Sequence, residues 1–167
     1  MVKKVLTAGL VILMILMVGC SGDRVKSAQG YWDLAREAFN NKQYQEAISY
    51  YEKLVQRFPQ DSLAVPALFS VAEIYKNNMK DYTKSIQSYQ RILREYVSHP
   101  KAPNASFMIG YVYANDLNNY DQARSSYEEF IKTFPEHSLV PSAQWEIENL
   151  GKSLDEIPQL QSITKGK

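Results

Sequence analysis

Few groups in this chain could do covalent or metal chemistry: one cysteine, Cys20, and two histidines, His99 and His137, in 167 residues. The histidines stand beside Pro100 and Glu136, at related positions 38 residues apart. Neither has a second ligand or a nucleophile at the spacing that a zinc site or an acid–base pair requires, so a loop role is expected for both. The acidic pairs Glu128-Glu129 and Asp155-Glu156 read as solvated surface. There is no glycine-rich phosphate loop, no nucleophile motif and no metal-ligand spacing. The sequence therefore reads as non-enzymatic, with no cofactor, metal or small-molecule substrate expected. That leaves Cys20 at the foot of an apolar run, where the chemistry open to the thiol is its own modification.

Lys3 and Lys4 precede the apolar residues 5–18, a run of 14. A spanning helix needs roughly 20 apolar residues, whereas a signal peptide has a short apolar run behind a basic start. The run ends in Met17-Val18-Gly19-Cys20, which resembles a bacterial lipobox. That resemblance implies that residues 1–19 are a lipoprotein signal peptide and that Cys20 is diacylated (palmitate among the acyl groups) and becomes the first mature residue. Two acyl chains anchor a protein stably where one does not. Ser21 in place of aspartate implies, by similarity to enterobacterial sorting, the outer membrane. Residues 20–29 then form a lipidated tether. Without the signal peptide the chain carries 17 basic and 18 acidic side chains. It has no basic block, so nucleic acid is not an expected partner.

Behind the tether the sequence repeats. The stretch from Tyr44 to Pro59 recurs 38 residues later from Tyr82, and again from Tyr120 to Pro135. Tyr51, Tyr89 and Tyr127 share one register; Leu54, Ile92 and Phe130 share another, as do Phe58, Tyr96 and Phe134. Between them Ala67, Ala105 and Ala143 recur, with Phe69, Phe107 and Trp145. A fixed period of this size indicates stacked supersecondary units. Tyr44, Ala47, Ile48, Tyr51, Leu54, Val55 and Phe58 trace a helical stripe that Pro59 stops. Trp32, Leu34, Ala35, Ala38 and Phe39 trace another, which Asn40-Asn41 can close with a left-handed cap. A short loop joins the two, so they must pack antiparallel.

The units resemble the tetratricopeptide repeat (TPR) family. The family pattern is W-x2-L-G-x2-Y, then A-x3-F, then P. Here it reads Tyr31-x2-Leu34-Ala35-x2-Ala38, Ala47-x3-Tyr51, Pro59. The second unit has Phe69-x2-Ala72-x2-Tyr75 and Ser85-x3-Tyr89, and the third Phe107-x2-Gly110-x2-Tyr113, Ala123-x3-Tyr127 and Pro135. Units two and three carry one additional residue, which is expected in the inner turn. The expected fold is all-α: a TPR-type α-solenoid of three helix-turn-helix repeats (30–59, 66–97, 103–135) plus a C-terminal capping helix at 139–152. Together these make a domain spanning 30–152, with a flexible tail at 153–167. Glu148 stands where the small residue would be, as suits a polar helix closing a solenoid.

In TPR proteins the first helix of each pair lines the concave face. The resemblance therefore implies a peptide-binding face made of Trp32, Arg36, Asn40, Phe69, Glu73, Asn77, Phe107, Tyr111 and Asn115, with Phe39 and Lys76 beside them. Asn40, Asn77 and Asn115 either hydrogen-bond an extended partner as a ladder or merely cap their helices. Tyr111, next to Gly110 and without an aromatic counterpart in the other units, is the foremost single candidate.

A lipobox followed by TPRs with Phe-Pro joints (Phe58-Pro59, Phe134-Pro135) is similar to the BamD family of outer-membrane β-barrel assembly lipoproteins. The resemblance implies a non-catalytic interaction scaffold. It would be held by lipid at the outer membrane, face the periplasm and bind a protein partner there. An adaptor of a cell-division or peptidoglycan system of the Tol–Pal type, and a self-associating envelope protein, are the alternatives.

Overall fold

The computed structural model describes Val25 and residues 27–157, apart from the side chain of Leu154. Residues 1–19, Cys20 and residues 158–167 lie outside the described residues. Seven α-helices follow one another with no strand among the described residues. They are α1 (Ala28–Asn40), α2 (Tyr44–Arg57), α3 (Ala64–Glu73), α4 (Tyr82–Glu95), α5 (Ala102–Tyr111), α6 (Tyr120–Thr133) and α7 (Val140–Asn149). Each packs on its neighbours in sequence, as in a one-dimensional repeat array. This is the helical repeat architecture that the register of tyrosines indicated.

Local chemistry sets the boundaries. Ser27 caps α1 by accepting from the Gly30 amide at 3.1 Å, so the helix starts inside the expected tether 20–29. Asp81 and Asn119 cap α4 and α6 through the amides of Lys84 and Gln122. Pro103 and Pro141 sit in the first turns of α5 and α7, where a missing N–H costs nothing.

The additional residue of units two and three lies inside the first helix, not in the inner turn as expected. α3 continues into a π-helical segment, Ile74–Met79, and α5 into another, Val112–Asp116, whereas α1 has none. A π-helical turn holds one more residue than an α-turn, so the insertion widens the helix end and leaves the following turn unchanged. The inner turns are in fact equivalent. Lys42, Lys80 and Asn118 all have left-handed φ, at 61°, 56° and 51°. The expected cap at Asn40-Asn41 is thereby corrected: Asn41 has φ −80° and Lys42 takes the left-handed position.

The joints between repeats share one hydrogen-bond pattern, and it accounts for both histidines. The amides of Asp61, His99 and His137 bond the carbonyls of Phe58, Tyr96 and Phe134 at 3.0, 2.9 and 3.0 Å. The side chains then accept from the amide two residues on: Asp61 Oδ1 from Leu63, His99 Nδ1 from Lys101, His137 Nδ1 from Leu139. A ring nitrogen does the work of an aspartate oxygen, which is a turn role.

The buried interior is made by Tyr31, Ala35, Ala38, Ala47, Tyr51, Leu54 and Val55 in unit one, and by Ala72, Tyr89 and Ile92 in unit two. In unit three the same places are held by Tyr127, Phe130 and Ala123. α1 buries Tyr31 rather than Phe39, which is 39% exposed. At the C-terminal end α7 buries Ala143 and exposes Glu148. The expected loose tail is corrected over its first five residues. Leu154–Glu156 form a 3-10 turn, the Glu156 carboxylate accepts from both the amide and the hydroxyl of Ser153, and Ile157 is 4% exposed. A capped turn and one buried aliphatic are enough to fix this short segment.

Candidate protein-binding face

The face made by the first helices is built on three aromatic pairs. Trp32 meets Tyr51 edge-on at 5.1 Å, Phe69 meets Tyr89 at 5.6 Å, and Phe107 meets Tyr127 at 5.2 Å. In each unit a half-buried ring of the first helix rests on the buried tyrosine of the second. These rings therefore hold the helix pairs together and keep one edge open to solvent.

The position after the small residue differs in each unit: Arg36, Glu73, Tyr111. Arg36 is exposed. Glu73 is engaged within the fold: its carboxylate accepts from the Tyr89 hydroxyl and from Asn77 Nδ2 and lies 3.5 Å from Lys76 Nζ. Burial first, and then the Glu73 carboxylate, hold the Tyr89 hydroxyl far above the ordinary phenol range. Tyr111, half-buried, lies under the Lys76 ammonium, which is 5.2 Å from its ring centroid and bridges units two and three.

None of the three asparagines takes the left-handed cap position, which falls to Lys42, Lys80 and Asn118. Asn77 turns back to Glu73, Asn115 Nδ2 donates to the Tyr111 carbonyl at 3.1 Å, and Asn40 is exposed at the end of α1. The side chains foreseen on this face fall in threes, one set at helical spacing in each unit: Trp32, Arg36 and Asn40; Phe69, Glu73 and Asn77; Phe107, Tyr111 and Asn115.

Sequence reasoning missed two features. Met79 and Leu117 are exposed, at 38% and 40%, one period apart at the inner turns, and their shared register was the available signal. The second is a set of polar atoms: the Tyr127 hydroxyl and Asp116 Oδ2 are buried without a hydrogen-bond partner. Burial, then the charge of Glu146, raises the Tyr127 hydroxyl as well, and burial raises the Glu146 carboxyl. On the opposite side Arg91 ties unit two to unit one through Glu52 at 2.6 Å, and it also pairs with Glu95 at 2.8 Å. Burial opposes the Arg91 charge, but the two carboxylates outweigh it and hold the guanidinium charged.

Among the described residues no group of three His, Cys, Asp or Glu could hold a metal ion, and no helix is long and apolar enough to cross a membrane. A family model described as "YfiO: Outer membrane lipoprotein" matches residues 24–157, from the tether to the buried Ile157. The chain belongs to the YfiO family. It is thus an outer-membrane lipoprotein of the cell envelope, with the BamD-like TPR architecture that its repeats resemble. A search of curated proteins found no match.

Proposed function

We propose that this chain is a non-catalytic scaffold that grips a protein partner in the periplasm on its first-helix face. In this reading it is held to the outer membrane by lipid on Cys20 and takes part in outer-membrane protein assembly. The observation that carries the reading is the family match across residues 24–157, which covers all seven helices. The face supports it physically. Its aromatics are packed but keep an open edge, and in unit two Glu73, Asn77 and Lys76 already hold one another, so less side-chain entropy is lost there on binding.

The test is photo-crosslinking in the native cell with a photoreactive residue at Tyr111, followed by mass spectrometry. Barrel-assembly components are the expected capture. Division or cell-wall proteins would move the assignment to an adaptor of a Tol–Pal-type system, and no adduct would remove this face from the proposal. A Cys20→Ala variant should leave the membrane fraction if the lipid is the anchor.

A further inference from the structure

The second helices end on the edge of the array where α1 begins. Arg57, in the last turn of α2, lies 5.7 Å from the ring of Tyr31, and the Phe58 ring is 6.3 Å from it, so α2 returns to the first turn of α1. α4 runs beside α2 in the same direction, tied to it by Arg91 and Glu52 at 2.6 Å, and unit three repeats the pattern. The joints after α2, α4 and α6 therefore share this edge, while the inner turns at Lys42, Lys80 and Asn118 lie on the opposite one.

The length of chain before α1 decides which edge can meet a membrane. Val25 packs on the core beside Gly30, at the start of α1. Five Cα steps separate it from Cys20, and fully extended they span at most about 18 Å. α1 has 13 residues and is about 20 Å long. A lipid on Cys20 therefore cannot bring the inner-turn edge, with its exposed Met79, Leu117 and Tyr120, onto the bilayer. It can bring the joints there.

The joint edge has the side chains that a lipid interface takes. Pro59, Val97 and Pro135 stand there one period apart, all exposed. Val97 replaces the proline of the other units and, at 62%, is the most exposed large hydrophobic among the described residues. Arg94 and Lys101 flank it, both exposed, and their stems are long enough to lie along an apolar surface with the charge at phosphate depth. Of the carboxylates on this edge, Asp61 accepts from the Leu63 amide and Glu95 is held by Arg91 and Arg94, while Glu136 is exposed. The two signs nearly balance, so this edge does not draw the chain to lipid by charge. The acyl anchor supplies the local concentration at which a weak contact is filled.

We propose that the joint edge, with Val97 at its tip, rests on the headgroup interface of the membrane that holds the lipid. The inner-turn edge then points away from the bilayer, and the first-helix face stands open at the side for a partner. This rests on the reading of Cys20 as the lipid anchor.

The test uses the lipidated full chain in phosphatidylethanolamine–phosphatidylglycerol vesicles that carry a headgroup nitroxide. Cys20 is the sole cysteine, and with its thiol acylated, bimane can be attached at one added cysteine in each variant: Val97→Cys, Leu117→Cys or Arg36→Cys. The label at Val97→Cys should lose most of its emission to the nitroxide, and the other two should keep theirs. Equal or stronger quenching at Leu117→Cys or Arg36→Cys overturns the proposal, as does an unquenched label at Val97→Cys. Flotation of the chain with the vesicles leaves the anchor reading standing in those cases, whereas a chain that does not float removes the anchor and this proposal with it.

Discussion

Gly110 faces the ring of Tyr127: a Cβ on Gly110 would lie 2.7 Å from both Cδ1 and Cε1 of that tyrosine. Unit three closes its helix pair with a glycine where units one and two use Ala35 and Ala72, so α5 and α6 meet backbone to ring at this point. Gly110→Leu should therefore destabilise the chain by about 1–3 kcal/mol, as overpacking does, outweighing the gain of about 1 kcal/mol from removing a helical glycine. Thermal unfolding by circular dichroism checks it, and an unchanged midpoint would mean that the ring moves aside freely.

Tyr89 and Tyr127 hold the same register and have different partners. The first donates to Glu73, while the second has a buried hydroxyl with none. Tyr89→Phe should cost about 1.5–3 kcal/mol, the range for a hydrogen bond to a charged group. Tyr127→Phe should be neutral or stabilising, because it removes an unmet polar atom. Denaturant unfolding of the two variants in parallel is the measurement, and equal losses would show that Glu73 adds nothing.

Burial raises the Glu146 carboxyl, so the folded chain binds that proton more tightly than the unfolded chain does. The sign follows: this contribution is fully present below the unfolded carboxylate value and is lost as pH rises through the folded one. Glu146→Gln should match the parent near about pH 4 and be the more stable of the two above the folded pKa. A melting-temperature difference that does not widen with pH would contradict it.

Lys42 and Lys80 pay the left-handed penalty of about 1–2 kcal/mol, against the roughly 0.5–1 kcal/mol of chain entropy that glycine would cost there. Lys42→Gly and Lys80→Gly should each stabilise by about 0.5–1 kcal/mol, and the two should add because the turns share no partner. Calorimetry of the single and double variants tests this.

The sequence by itself determined the period of 38, the helix pairs, the closing helix and the joints. It also placed the lone cysteine behind an apolar run, and those residues lie outside the described structure. These features were legible because apolar periodicity and caps are local: Tyr44 to Phe58 state their helix unaided, and the histidines bond amides two residues away. Only the tertiary structure decided what the face offers. Glu73 is occupied by Tyr89, 16 residues on, and Lys76 covers Tyr111 from the preceding repeat. The inserted residues became π-helical turns rather than longer loops, and Ile157 left the tail for a cleft. Each of these outcomes depends on which side chains neighbouring helices bring within reach, and that is fixed by packing between units rather than by the pattern within one.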